Sequence, residues 1–130
     1  MTYTIKNLRD VEDVAPRFGF DSVQEARFAR GDLESETIGL AFHRVKPGCR
    51  QAFAHRHEQA EEIYVVLSGA GRIKLNDEIH EVGEMDAIRV APEVLRAFEA
   101  GRDGLELLVF GPRCAGDGEV ISEDFWAGAA

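Results

Sequence analysis

Two histidines and a glutamate are spaced so that they could bind a metal ion. His55 and His57 are separated by one residue, and residues two apart in an extended strand point to the same face. Four residues then separate His57 from Glu62, which leaves room for a turn before the next strand. Two imidazoles and one carboxylate that converge are the ligands of a facial-triad metal centre, which keeps coordination positions open for substrate or water. The alternative is that both histidines are surface residues or hydrogen-bonded core residues.

Other side chains near this motif are candidates for supporting roles. Tyr64 shares the face of Glu62 by strand alternation, so it could line a pocket and bind a ligand through its phenol, or be a core residue. His43 lies on a predicted strand, where a structural role is favoured over a ligand role. His80 is expected to be exposed near a hairpin, and Cys49 to be a small buried residue rather than a soft metal ligand.

Length, charge and cysteine content limit the class of protein. The 130 residues are enough for one domain with a single core. The 24 acidic residues outnumber the 15 lysines and arginines, and the formal net charge of -9 disfavours binding to nucleic acid or to a membrane surface. Two cysteines do not form a disulfide framework, and the first ten residues lack the apolar run of a signal peptide. We therefore expect a cytoplasmic protein.

The segments that must position the candidate ligands are predicted to be short strands. From Thr37 to Phe110, short runs rich in Ile, Leu, Val and Phe alternate with turns that contain glycine. Strands at this spacing are typical of an antiparallel barrel or sandwich, so the fold is predicted to be all-β. No amphipathic pattern of helical length follows residue 36.

The two ends of the chain are predicted to be additions to this barrel, which takes residues 37–110. Residues 1–36 are predicted to form an N-terminal extension. Residues 10–14 are predicted to start a short helix that Asp10 caps and that Pro16 and Gly19 stop, and a strand is predicted at 26–30. Residues 111–130 are predicted to form a tail. Its aromatic pair is expected to dock on the barrel or on a second subunit rather than bind ligand; the pair is Phe125 and Trp126.

The segment Gly48–Gly69 resembles the first sequence motif of the cupin family, in which a glycine precedes His-x-His, a glutamate follows and a glycine closes the hairpin. Glu62 fits the glutamate position because six residues separate it from the closing glycine. Gly83–Ala100 lies where the second motif belongs, but the family's Pro-x-Gly-x-x-His is replaced by Ala-Pro-Glu-Val-Leu-Arg at Ala91–Arg96. The resemblance covers residues 37–110 and is nearest to small single-domain bacterial cupins of unassigned function. It implies a double-stranded β-helix, or jelly-roll barrel.

Arg96 stands at the position of the family's fourth metal ligand, a histidine. A guanidinium has no lone pair for a metal, so it cannot replace that ligand. Because Glu99 is expected to face water, alternation directs Arg96 and Phe98 into the barrel. Three alternatives follow: Arg96 anchors an anionic ligand beside a three-ligand metal site, it pairs with Glu62 in a metal-free site, or it turns out to solvent.

Two hypotheses for function follow. In the first, His55, His57 and Glu62 hold a divalent Mn, Fe, Ni or Zn ion, and the protein is an isomerase, lyase or dioxygenase acting on a small organic anion that Arg96 and Tyr64 bind. In the second, the protein is a non-catalytic, metal-free module that binds or senses a small molecule. In both, the exposed sheet edges favour a homodimer.

Overall fold

The computed structural model describes residues 2–112, 114, 116–121 and 124–128. Within this part of the chain there are eight strands: β1 (Gln24–Phe28), β2 (Ile38–Val45), β3 (Ala54–His57), β4 (Glu62–Leu75), β5 (Glu78–Gly83), β6 (Ala87–Val90), β7 (Arg96–Pro112) and β8 (Gly118–Ile121). Two short helices precede β2, namely α1 (Ala15–Phe18) and α2 (Arg30–Leu33). A single 3-10 turn at Leu8–Asp10 precedes both.

The eight described strands form one antiparallel sheet. One path through it has the order β1-β2-β7-β3-β8, and β4 pairs with β5, β6 and β7 off this path. β2 pairs with β7 from Ile38↔Pro112 to Val45↔Leu105. The other side of β7 pairs with β4 from Ile63↔Phe110 to Leu75↔Arg96. The predicted all-β antiparallel barrel is therefore confirmed in the described residues.

The sheet curls because its two longest strands bend within the ladder that joins them. β4 and β7 have 14 and 17 residues, and their register shifts between Val66 and Ser68 and again between Gly69 and Gly71. Such irregularities increase the local twist and bend the strand. Gly69 has a φ of 80°, and a Cβ there would lie 2.0 Å from the Gly104 carbonyl oxygen. The bend thus depends on a glycine that closes the sequence motif described above.

The apolar core lies beneath the site. Its largest fully buried apolar side chains come from strands β2, β4, β6 and β7: Phe98, Ile73, Leu105, Leu107, Val45, Val66 and Val90. Ala41, Tyr64 and Val109 belong both to this core and to the wall of a cavity. The core therefore packs directly against the cavity that contains the candidate metal ligands.

The predicted helix at residues 10–14 is wrong. Asp10 ends the 3-10 turn instead of capping a helix, and α1 begins only at Ala15. Pro16 lies in the first turn of α1, where the missing N–H of a proline has no intrahelical partner to lose. Gly19 ends α1 in the left-handed conformation with a φ of 80°, as its sequence position indicated.

Both ends of the chain contribute to the same sheet. β1 pairs with β2, and β8 pairs with β3. Trp126 is buried against Ala54 and Ala97, and the Arg50 guanidinium lies 4.9 Å from the centre of its ring. The aromatic pair of the tail thus docks on the barrel, with Phe125 packed against the same cluster. Among the described residues, no helix is long and apolar enough to cross a membrane.

Candidate metal centre

Strand β3 presents the two histidines. It pairs with β8 on one side, from Ala54↔Ile121 to His57↔Gly118, and His55 pairs with Arg96 of β7 on the other. The alternation of the strand directs both imidazoles into the barrel, where their ring centres lie 5.2 Å apart. At Gly118, an added Cβ would lie only 3.6 Å from the His57 ring, so the ring packs directly on the backbone of β8.

Glu62, the first residue of β4, completes the cluster. Its Oε1 lies 3.4 Å from Nε2 of His55 and 3.4 Å from Nε2 of His57. One donor atom from each of the three residues lies within 4.8 Å of the others. The triad predicted from the sequence spacing is therefore assembled by the fold, with all three side chains half-buried.

The spacing and the unmet hydrogen-bonding capacity of the triad fit a metal ion. Two donors bound at about 2.1 Å, with an angle of about 90–110° between them, lie about 3.0–3.4 Å apart. Both ring nitrogens of His57 are buried, and neither has a hydrogen-bond partner in the described structure. Burial lowers the pKa of His57, and the nearby His55 and Arg96 lower it further against the opposing effect of Glu62. A neutral imidazole keeps the lone pair that a metal requires.

Asp117 stands behind His57. Its Oδ2 lies 3.4 Å from Nδ1 of His57, although the geometry is not that of a hydrogen bond. The same carboxylate accepts the backbone N–H groups of the turn after β3, from residues 58, 59 and 60. These hydrogen bonds outweigh the effect of burial and lower the pKa of Asp117. A carboxylate at this place favours the tautomer with Nε2 free toward Glu62.

Arg96 is fully buried behind Glu62, with 1% of its side chain exposed. One terminal nitrogen donates to Glu62 Oε1 at 2.8 Å, and Nε donates to the Tyr64 hydroxyl at 3.2 Å. The other terminal nitrogen donates to the carbonyl oxygens of Pro92 and Val94 at 3.2 and 2.8 Å. The alternative in which Arg96 turns to solvent is wrong, and the pairing with Glu62 is present.

Tyr64 connects Arg96 to the carboxylate. Its hydroxyl donates to Glu62 Oε1 at 2.9 Å, and burial raises the pKa of the phenol, so it stays protonated. Burial raises the pKa of Glu62, but hydrogen bonds from His55, Arg96 and Tyr64 outweigh it and lower the pKa to about 2. The centre therefore combines an ionised carboxylate with two imidazoles and a guanidinium that does not bind metal.

The triad opens into a cavity of about 520 Å³ with mainly apolar walls. The apolar lining comes from β1, β2, β7, β8 and the loop before β3: Phe28, Leu40, Ala41, Phe53, Val109, Pro112 and Val120. Tyr64 and His43 also line it, whereas Arg96 does not, so the expected contact between Arg96 and a ligand has no support from its position. Burial, with a smaller effect from His55, lowers the pKa of His43 to about 4.

The comparisons with known proteins identify the family. A model of the cupin domain matches residues 41–110, which is more than half of the chain. The chain belongs to the cupin family. No curated protein matches this cupin at a significant level.

Solved structures share the fold of this cupin at identities too low to transfer a function. A cupin protein from Bacteroides fragilis is 24% identical with a TM-score of 0.68, over 89% of this chain and 87% of that one. The polyketide cyclase RemF from Streptomyces resistomycificus is 23% identical with a TM-score of 0.74, over 95% and 89%. Oxalate decarboxylase from Bacillus subtilis is 21% identical with a TM-score of 0.72, over 91% of this chain but only 33% of that one. The jelly-roll barrel implied by the motif is thereby confirmed.

Sequence reasoning missed several residues around the centre of this cupin. Asp117 and Arg30 were not singled out, because each lies just outside a strand whose pairing with a distant segment brings it to the site. Gln24 and Gln51 also line the cavity, and each accepts a backbone N–H through its side-chain oxygen. His80 is exposed, as expected.

Proposed function

We propose that this cupin binds one divalent transition metal through His55, His57 and Glu62 and uses it to transform a small organic anion. The observation that carries the proposal is the state of His57. Both of its ring nitrogens are buried without a hydrogen-bond partner in the described structure, and Nε2 points with that of His55 at one carboxylate oxygen. Buried polar atoms in native proteins are nearly always satisfied, so a bound cation or water is the expected partner.

The residues around the triad would orient its carboxylate and contact the substrate. A bound metal would act as a Lewis acid toward a carbonyl, enolate or similar oxygen. Tyr64 and Arg96 hold the Glu62 carboxylate in one orientation and keep it ionised. His43, neutral in the same cavity, can donate or accept one hydrogen bond from a substrate oxygen. The apolar walls exclude water and favour a substrate with an apolar body.

Names of structural neighbours support an enzymatic role on a small organic molecule. One is a polyketide cyclase, another an oxalate decarboxylase, and a third a putative sugar phosphate isomerase. The cavity volume of about 520 Å³ lies in the range of small-ligand sites. An isomerase, lyase or dioxygenase with Mn, Fe, Ni or Zn is the class we propose, working as a homodimer.

Arg96 favours a second candidate, a metal-free module that binds or senses a small molecule. Its guanidinium already neutralises Glu62 and would repel a cation at the triad. In this case the Arg96–Glu62 pair fills the role that the metal has in the first proposal. The two candidates differ in one measurable property, metal content.

Elemental analysis of protein purified without a histidine tag separates the two candidates. We expect about one equivalent of a transition metal per chain. The double substitution His55→Ala/His57→Ala should abolish it, because only one ligand then remains. The matched control is His80→Ala, which removes an exposed histidine remote from the triad and should leave the metal content unchanged.

The identity of the metal would narrow the reaction, since iron favours dioxygen chemistry and manganese, nickel or zinc favour isomerase or hydrolytic chemistry. Absence of metal after incubation with salts of all four would rule out the first candidate. Retention of metal by the double variant would show that the ion binds elsewhere.

A further inference from the structure

The cavity wall contains a guanidinium for which the described residues provide no ion-pair partner. Arg30 lines the cavity, and its Nε is buried without a hydrogen-bond partner. Among the described residues, no carboxylate forms an ion pair with it, whereas most arginines of this chain are paired. The pairs include Arg17 with Glu12, Arg27 with Glu25, Arg50 and Arg72 with Glu99, Arg56 with Glu119, and Arg89 with Glu61. A half-buried guanidinium at a cavity wall, without a carboxylate partner among the described residues, favours an anion from outside the protein.

The carboxylates that line the same cavity are already engaged. Glu62 bonds to Arg96 at 2.8 Å, and Glu119 bonds to Arg56 at 2.9 Å. Arg30 is the one lysine or arginine among the described residues of the cavity wall. An incoming anion would therefore meet one unpaired positive charge and two paired negative ones, which favours a singly charged group such as a carboxylate.

Two glycines connect the surroundings of Arg30 with the triad. Arg30 is the first residue of α2, and the preceding Ala29 donates its N–H to the Leu40 carbonyl oxygen at 2.9 Å. The neighbouring Gly39 pairs with Gly111, and an added Cβ at Gly111 would lie 3.3 Å from Cγ of Glu62. Gly39 and Gly111 have no side chains, and both line the cavity. The floor between Arg30 and the triad is therefore open to a ligand, although Gly39 also relieves a close contact with the Gly111 carbonyl oxygen.

We propose that Arg30 anchors the carboxylate of an apolar, ring-containing monocarboxylic acid, whose body lies across Gly39 and Gly111 toward His55, His57 and Glu62. Phe28, from the strand before Arg30, and the other apolar residues of the cavity wall would contact this body. The inference deepens the proposed function and rests on it for the reaction, because the triad would act on the end of the acid remote from the carboxylate. It also assigns to Arg30 the anchoring role that the sequence suggested for Arg96.

Binding of 1-naphthoate and 1-naphthamide, measured by isothermal titration calorimetry, tests this anchor. The probes have the same rings and nearly the same size but differ in charge. We expect Arg30→Gln to weaken naphthoate binding at least about tenfold, since a charge-assisted hydrogen bond is lost, and to leave naphthamide binding unchanged. Arg30→Lys should recover part of the affinity. Arg102→Gln, which removes an exposed arginine outside the cavity, is the matched control and should behave as the unaltered protein.

The titrations are done on the protein as purified and again after treatment with a chelator, so that binding of the acid to a metal is separated from binding to Arg30. Equal naphthoate affinity of Arg30→Gln and the unaltered protein, or no naphthoate binding at millimolar concentration, would overturn the inference. If the protein binds metal but its affinity for naphthoate does not depend on Arg30, only the anchoring role of Arg30 is overturned. If the protein binds no metal but its affinity for naphthoate does depend on Arg30, only the proposed metal function is overturned.

Discussion

Arg96 controls the charge that a cation would meet at the triad. Its guanidinium donates to the same oxygen of Glu62 that faces both histidines, and the Tyr64 hydroxyl donates to that oxygen as well. The carboxylate is ionised and oriented, which favours coordination, but its charge is shared with a neighbouring cation. A metal site of this kind is therefore expected to be weaker than one in which a fourth imidazole replaces the guanidinium.

Arg96→His should raise metal affinity by about tenfold or more. The substitution removes a positive charge from Glu62 and supplies an imidazole at the position where the family has its fourth ligand. It should also lower stability, because the hydrogen bonds to Pro92 and Val94 are lost. The measurement is a calorimetric titration with zinc or manganese.

Arg96→Ala removes the positive charge without supplying an imidazole, so it separates these two effects of Arg96→His. It leaves Glu62 half-buried without its cation, so we expect the free energy of unfolding to fall by about 3 kcal/mol. Arg89→His, at an exposed arginine, is the control for both variants. Equal metal affinity of Arg96→His and the unaltered protein would contradict this account of the triad.

At the scale of elements, ion pairs of Glu99 with two arginines stabilise the position of β7, the strand that carries Arg96. Glu99 of β7 accepts from Arg50 at 2.6 Å and from Arg72 of β4 at 2.8 Å. Both arginines also lie over the ring of Trp126. One carboxylate thus joins two strands, the loop before β3 and the C-terminal segment. Its burial raises the pKa of Glu99, but the hydrogen bonds from the two arginines outweigh this and lower it below the ordinary value of 4.5.

Glu99→Gln should therefore destabilise the protein more at neutral pH than in acid. A carboxylate whose pKa is lower in the folded state stabilises that state above its ordinary pKa, and the effect is lost as the pH falls below 4.5. We expect a loss of about 1–2 kcal/mol at pH 7, by urea unfolding, and a smaller one near pH 4. Glu84→Gln, at an exposed position without an ion pair among the described residues, serves as the control. An equal loss in the free energy of unfolding at both pH values would argue against a stabilising role of these ion pairs.

At the scale of the whole molecule, the two ends of the chain complete the cavity. β1 and the start of α2 contribute Phe28 and Arg30, and β8 contributes Val120. Phe28, Ile38 and Val120 nevertheless remain more than half exposed. In the described structure, β1 and β8 each have a single neighbouring strand. Exposed apolar side chains and free strand edges favour association of two copies.

Light scattering coupled to size exclusion should give about twice the chain mass of 14.4 kDa. Replacing Ile38 with Lys should shift the protein toward the monomer, because a charge would then lie among the exposed apolar residues. Ile5→Lys, at another exposed apolar residue, is the comparison that tests whether the effect is local. A monomeric mass for the unaltered protein would remove the dimer from the proposal.

The sequence by itself determined the barrel and the triad, because both depend on local periodicity. Alternation over short strands predicts one apolar face, and His-x-His followed by a carboxylate after a short turn predicts three side chains at one point. Only the tertiary structure decided the partner of Arg96, which is 34 residues from Glu62 in the chain, and the places of Asp117 and Arg30. The Arg96–Glu62 contact depends on the register between distant strands, where a shift of one residue would turn each side chain to the opposite face, and Asp117 and Arg30 lie just outside strands that pair with distant segments.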